Sequence, residues 1–81
     1  MSSHDTTKQR ILSGKANANI RFDDLRHLLK KLQFQERIKG SHHIFSRGGI
    51  REIINLQPLR DGKAKPYQVK LVREVIELYN L

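Results

Sequence analysis

The sequence predicts an α+β domain of order α-β-β-β-α: a three-stranded antiparallel sheet with two helices packed on one face, preceded by a short N-terminal helix or arm. Three observations lead there. Apolar residues recur at helical spacing at Phe22, Leu25, Leu28, Leu29 and Leu32, and again at Val69, Val72, Ile76 and Tyr79. Between these segments the period changes to two, and Gly40-Ser41 and Arg47-Gly48-Gly49 punctuate the alternation as turns. Three strands with both helices on one side bury the most apolar surface that this order allows.

Taken in order, Met1 to Thr7 is polar and reads as a frayed start. Thr7 to Gly14 reads as a short helix, capped by Thr6 or Thr7 and ended by Gly14, or else as a flexible arm. Lys15 to Asn19 reads as a linker, so residues 1–19 form an arm and residues 20–81 the domain. The first strong helix spans Phe22 to Leu32, with Asp23 and Asp24 at its start and Lys30 and Lys31 at its end complementing its dipole. His27, among Arg26, Lys30 and Lys31, reads as a solvated histidine. Phe34 to Lys39 and His42 to Ser46 pair about the turn Gly40-Ser41, where glycine accepts positive φ. Ile50 to Gln57 is the third strand, centred on Ile53-Ile54 and ended by Pro58, which has no N–H to donate. Leu59 to Lys65 is a basic loop, and Pro66 suits the first turn of a helix running to Tyr79. That helix carries a second apolar stripe, Leu71, Val75 and Leu78. It is either unusually buried or keeps one stripe for a partner.

The totals narrow the function classes. Eighty-one residues make one small domain. Sixteen Lys and Arg against eight Asp and Glu leave a net charge of +8, spread along the chain. Such a field attracts polyanions, or simply keeps a small protein soluble. The chain has no cysteine, which excludes disulfides and thiolate zinc sites and makes a reducing cytoplasm the simplest setting. The start has no apolar signal region, and no apolar run approaches the roughly 20 residues of a membrane helix.

The hairpin carries the chemistry. With a two-residue turn, Lys39 lies opposite His42, Ile38 opposite His43, Arg37 opposite Ile44 and Glu36 opposite Phe45. Alternation then puts Arg37, Lys39, His42 and Ile44 on one face, and Glu36, Ile38, His43 and Phe45 on the other. The first face is basic and should meet solvent; the second should lean on the helices. His42 is therefore expected to stand exposed beside two cations, and His43 to be partly packed and to help hold the hairpin. A histidine can take or give a proton near neutral pH. Arg37 and Lys39 would hold a phosphodiester, with Lys63 and Lys65 as outer contacts. Ser41 would either donate to phosphate or serve the turn with Gly40. RNA brings its own nucleophile, the 2′-hydroxyl, so one histidine with basic neighbours could suffice to cleave it. The residues alone leave a structural or RNA-contacting histidine as an equal reading. No metal site is expected, because His42 and His43 point to opposite faces and His4 lies in the N-terminal tail.

Gly40-Ser41-His42-His43-Ile44-Phe45, the preceding Leu28-Leu29-Lys30-Lys31-Leu32-Gln33-Phe34, and Lys65-Pro66-Tyr67 closely resemble the corresponding segments of the HicA toxins. The likeness covers about Ile20 to Leu81. It implies a fold like the double-stranded-RNA-binding domain. It also implies the activity of an mRNA interferase, the endoribonuclease toxin of a type II toxin–antitoxin system, which blocks translation and arrests growth. The essential histidine would be His42, which follows Gly-Ser; no metal or cofactor would be needed. The partners would be RNA and a HicB-like antitoxin covering the RNA site. Two departures stand out. Many family members carry Gly-Phe where this chain has Gln33-Phe34, and a left-handed glutamine costs on the order of 1 kcal/mol. The N-terminal nineteen residues are absent from the shortest members. The rival expectations are a non-catalytic RNA-binding module of the same fold, and an interaction subunit whose last helix docks a partner.

Overall fold

The computed structural model describes residues 3–81, with side chains from Thr6 onward. Its elements are α1 (Ser3–Ser13), a 3-10 turn (Asn17–Asn19), α2 (Phe22–Lys31), β1 (Gln35–Lys39), β2 (His42–Ser46), β3 (Ile54–Leu56) and α3 (Pro66–Tyr79). The protein is α+β: three helices and one antiparallel sheet of order β1-β2-β3. No described helix is long and apolar enough to cross a membrane.

The register is the one that a Gly40-Ser41 turn dictates. Lys39 pairs with His42, Ile38 with His43, Arg37 with Ile44 and Glu36 with Phe45. Gly40 has φ +62°, which it adopts without steric cost. On the second ladder His43 pairs with Leu56, Ile44 with Asn55 and Phe45 with Ile54. Phe45, Ile54 and Leu56 therefore share one face. They are fully buried in a single core with Leu25, Leu28 and Leu29 of α2 and Val69 and Val72 of α3. Arg37, Lys39, His42 and Asn55 lie on the opposite face and are exposed.

Each helix ends in a left-handed residue: Gly14 (φ +72°), Gln33 (φ +75°) and Asn80 (φ +55°). After α2 the Phe34 N–H donates to the Leu29 carbonyl (3.0 Å) and Gln33 N–H to Lys30 (3.0 Å), with buried Phe34 and Leu29 adjoining this closure. So position 33 keeps the conformation that favours glycine although it holds glutamine. Leu81 closes α3 in the same way, its N–H donating to the Ile76 carbonyl at 2.9 Å.

Several expectations need correction. Of the two readings of the N-terminal segment the structure has the helix, and α1 begins at Ser3 rather than near Thr7. Thr7 does not cap it; Thr7 lies inside the helix and is buried, as is Ile11, which joins the core. Lys8 Nζ donates to the Leu81 carbonyl (2.8 Å), and Arg73 donates to the Ile11 carbonyl (3.1 Å) and Asn17 Oδ1 (2.9 Å). These bonds clamp α1 and the 3-10 turn to α3 and its C-terminal end. Met1, Ser2 and the side chain of His4 lie outside the described residues.

The wide apolar face of α3 is divided. Val69, Val72, Val75 and Ile76 are buried, and α1 packs on the same helix, while Leu78 remains 68% exposed. The third strand is shorter than Ile50 to Gln57. The Gly48-Gly49 turn closes on Arg47, Ile50 settles against the core, and Tyr79 takes the Arg51 N–H and donates to Glu52. These contacts hold the chain off β2 until Ile54 and leave Ile53 exposed. Ile38 faces the helix side as its register requires, yet it is 58% exposed. β1 is an outer strand, and the helices cover Glu36 but not the end beside the turn.

Candidate active site

On the open face, the hairpin brings His42 beside β3. Its Nδ1 lies 3.2 Å from Asn55 Oδ1. An amide oxygen can only accept, so Nδ1 donates, and in the neutral ring Nε2 is then the nitrogen with the lone pair. Asn55 thus sets the tautomer and orientation of the ring, and Nε2 is the atom able to take a proton from a ligand. Lys39 lies directly opposite His42, and Arg37 opposite Ile44 two residues along the same face. Among the described residues neither cation is in an ion pair, and the strands place no carboxylate on this face.

Ser41 is tied to the site by Gln57. Gln57 Nε2 donates to Ser41 Oγ (3.0 Å), and Lys65 Nζ donates to Gln57 Oε1 (3.4 Å). The serine hydroxyl accepts here, so its own hydrogen stays available to an oxygen ligand. The buried Gln68 amide lies along the Gln57 backbone. With its NH2 toward the Gln57 carbonyl and its oxygen toward the Gln57 N–H, it makes two bonds of 3.1 Å. It ties the Gln57 backbone to the start of α3. His42, Asn55, Gln57, Tyr67 and Gln68 together line a shallow hollow of about 240 Å³. The first turn of α3 borders it and holds no acidic residue, so the positive end of that helix dipole is uncompensated there.

His43 is held on the other side of the sheet. Its Nδ1 meets Glu36 Oε2 at 2.8 Å, and its ring packs edge-on against Phe22, with centroids 4.9 Å apart. The Glu36 side chain is 5% exposed and takes a forked contact from Arg26, 2.7 Å from Nε and 3.1 Å from the second nitrogen. The Arg26 guanidinium, with His43 adding to it, holds the Glu36 carboxyl down at about 2. Arg26 is raised in return. This cluster clamps α2 to the hairpin.

The residues expected at the site are therefore divided. His42, Arg37, Lys39 and Ser41 share the hairpin, and Lys65 is joined to Ser41 through Gln57. Lys63 is held elsewhere: its Nζ reaches Asn19 Oδ1 (3.4 Å), and its backbone bridges to Arg21. Gly40 and His43 have structural places. No group of three or more His, Cys, Asp or Glu among the described residues could hold a metal ion. Sequence reasoning missed Asn55, Gln57, Tyr67 and Gln68. Strand alternation could have found Asn55, a polar residue within Ile53-Ile54-Asn55-Leu56; nothing in the sequence marks Gln68 as buried.

No protein-family model, no curated protein and no solved structure compared with this chain matches it.

Proposed function

We propose that this chain is an endoribonuclease of the HicA toxin type, with a fold like the double-stranded-RNA-binding domain and His42 as its general base and acid. The observation that carries this reading is the setting of His42: exposed, its Nδ1 engaged by Asn55, on a face where, among the described residues, Arg37 and Lys39 are in no ion pair and the strands bring no carboxylate. RNA binds with a phosphodiester against Lys39 and Arg37, and Ser41 donates to a phosphate oxygen. His42 Nε2 takes the proton of the 2′-hydroxyl. The 2′-oxygen attacks phosphorus, the bond to the 5′-oxygen breaks, and the leaving oxygen takes its proton from the His42 imidazolium, which returns the ring to its neutral form. The cations stabilise the charge that gathers on the phosphoryl oxygens. The products are a 2′,3′-cyclic phosphate and a 5′-hydroxyl. The nucleophile resides in the substrate, so the scheme requires no metal. An acidic, HicB-like antitoxin is the proposed partner, covering this face and quenching its charge.

The test is incubation of purified protein with a defined RNA in excess chelator, with the new ends identified chemically. Cleavage leaving cyclic phosphate is expected; intact RNA, or cleavage that the chelator abolishes, sinks the reading. One observation favours a non-catalytic RNA-binding module instead: His42 shares the hollow with Asn55, Gln57, Tyr67 and Gln68, and among the described residues no second imidazole, carboxylate or ammonium lines it as a partner for proton transfer. That reading predicts binding that weakens steeply with salt and no products at any protein concentration.

A further inference from the structure

We propose that Tyr67 is the stacking platform of the His42 site and that its ligand is an unpaired nucleobase, so that the substrate enters as single-stranded RNA. This rests on the RNA reading above and sharpens it. The chain has five aromatic residues. Phe22, Phe34 and Phe45 are buried in the core, and Tyr79 is bonded to Glu52 and Arg51. Tyr67 alone is left bare, 65% exposed. An aromatic ring gains much from burial, so an open one beside a polar hollow is a surface waiting for a planar ligand.

Its position fits that task. Tyr67 lines the same hollow as His42, Asn55 and Gln57. Its backbone is fixed in the first turn of α3, directly after Pro66. Its hydroxyl lies 3.4 Å from the Gln68 amide, which tethers one end of the ring and leaves the rest open. Beside it, Asn55 uses its oxygen on His42, and its NH2 makes no hydrogen bond within the described protein. That group can donate to an acceptor on a base edge. Lys39 and Lys65 stand on two sides of His42 and Ser41, where the phosphates flanking such a base would lie.

The choice between single strand and duplex follows from geometry. In an A-form duplex every base face is covered by its neighbours, and proteins read the helix through its 2′-hydroxyls, phosphates and shape. A tyrosine ring can stack only on a base that has left the helix or was never in one. Stacking of this kind is tolerant of sequence, because every base presents a flat face.

The experiment measures binding of a 2′-fluoro RNA strand, which lacks the nucleophile, and of the same strand annealed to its complement. Fluorescence anisotropy compares the wild type, Tyr67→Phe and Tyr67→Ala at one salt concentration, with circular dichroism checking the fold of each. The wild type and Tyr67→Phe should bind the single strand roughly tenfold or more tighter than Tyr67→Ala does, and the three should bind the duplex alike. A folded Tyr67→Ala that holds the single strand as tightly as the wild type overturns the proposal, as does a wild type that prefers duplex. Cleavage of unmodified RNA is scored on the same preparations. Cleavage with Tyr67-independent binding removes the stacking platform and leaves the nuclease. Tyr67-dependent binding without cleavage supports the platform and removes the nuclease.

Discussion

His42 and His43 are neighbours in the chain and occupy opposite faces of one strand. His42 lies in the open, with a neutral amide on one ring nitrogen and cations around it. His43 is partly packed against Phe22 and bonded to a carboxylate that Arg26 also grips. The first has a ring nitrogen to offer a ligand. The second is committed to a contact that joins α2 to the hairpin. Residue type is the same in both places; strand alternation and the partner on Nδ1 decide what each can do.

This contrast can be broken from either side. The largest effect should come from the open face: His42→Gln is expected to lower RNA cleavage roughly 10²- to 10⁴-fold and to leave the urea unfolding midpoint unchanged. On the packed face, Glu36→Gln should remove on the order of 3 kcal/mol of stability, because Arg26 loses its buried partner. Urea unfolding reads this directly. The same residue sets the acid limb of stability. Its folded carboxyl is depressed from 4.5 to about 2, so its contribution is fully present above pH about 4.5 and is lost as the pH falls toward 2. Unfolding free energies measured across that window should fall more steeply in the wild type than in Glu36→Gln.

A smaller effect distinguishes the charges of the two faces. Replacing Arg37 and Lys39 together with glutamine should reduce the slope of log affinity against log salt for single-stranded RNA by about 1.4, at roughly 0.7 per phosphate contact. The same change at Lys30, which lies 3.8 Å from Glu36, should leave the slope unchanged. Smallest is Gln33→Gly, expected to raise stability by about 1 kcal/mol by relieving a left-handed glutamine. Thermal unfolding checks it, and cleavage should not change.

Much of this was legible in the sequence because it is local. The spacing of Phe22 to Leu32 and of Val69 to Tyr79 marked two helices, and Gly40-Ser41 fixed a register that sent His42 outward and His43 inward. What escaped depends on contacts distant in sequence. Ile53 looked like the middle of a strand, but Tyr79 holds Arg51 and Glu52 away from the ladder. Residues 1–19 read as an arm apart from the domain, but Ile11 joins the core and α1 packs on α2 and α3. The site was seen as a histidine and its cations. Asn55, Gln57 and Tyr67 reach it across a strand, a turn and a helix start, and no local pattern joins them.

The most direct test of the central claim compares His42→Ala with His43→Ala on one RNA substrate, with the fold of each verified in the same buffer. If the two faces divide chemistry from structure, His42→Ala is folded and inactive, and His43→Ala is less stable yet cleaves at a rate near the wild type's while it remains folded. A folded His42→Ala that cleaves as fast as the wild type, or a folded His43→Ala that has lost cleavage as completely, contradicts that division.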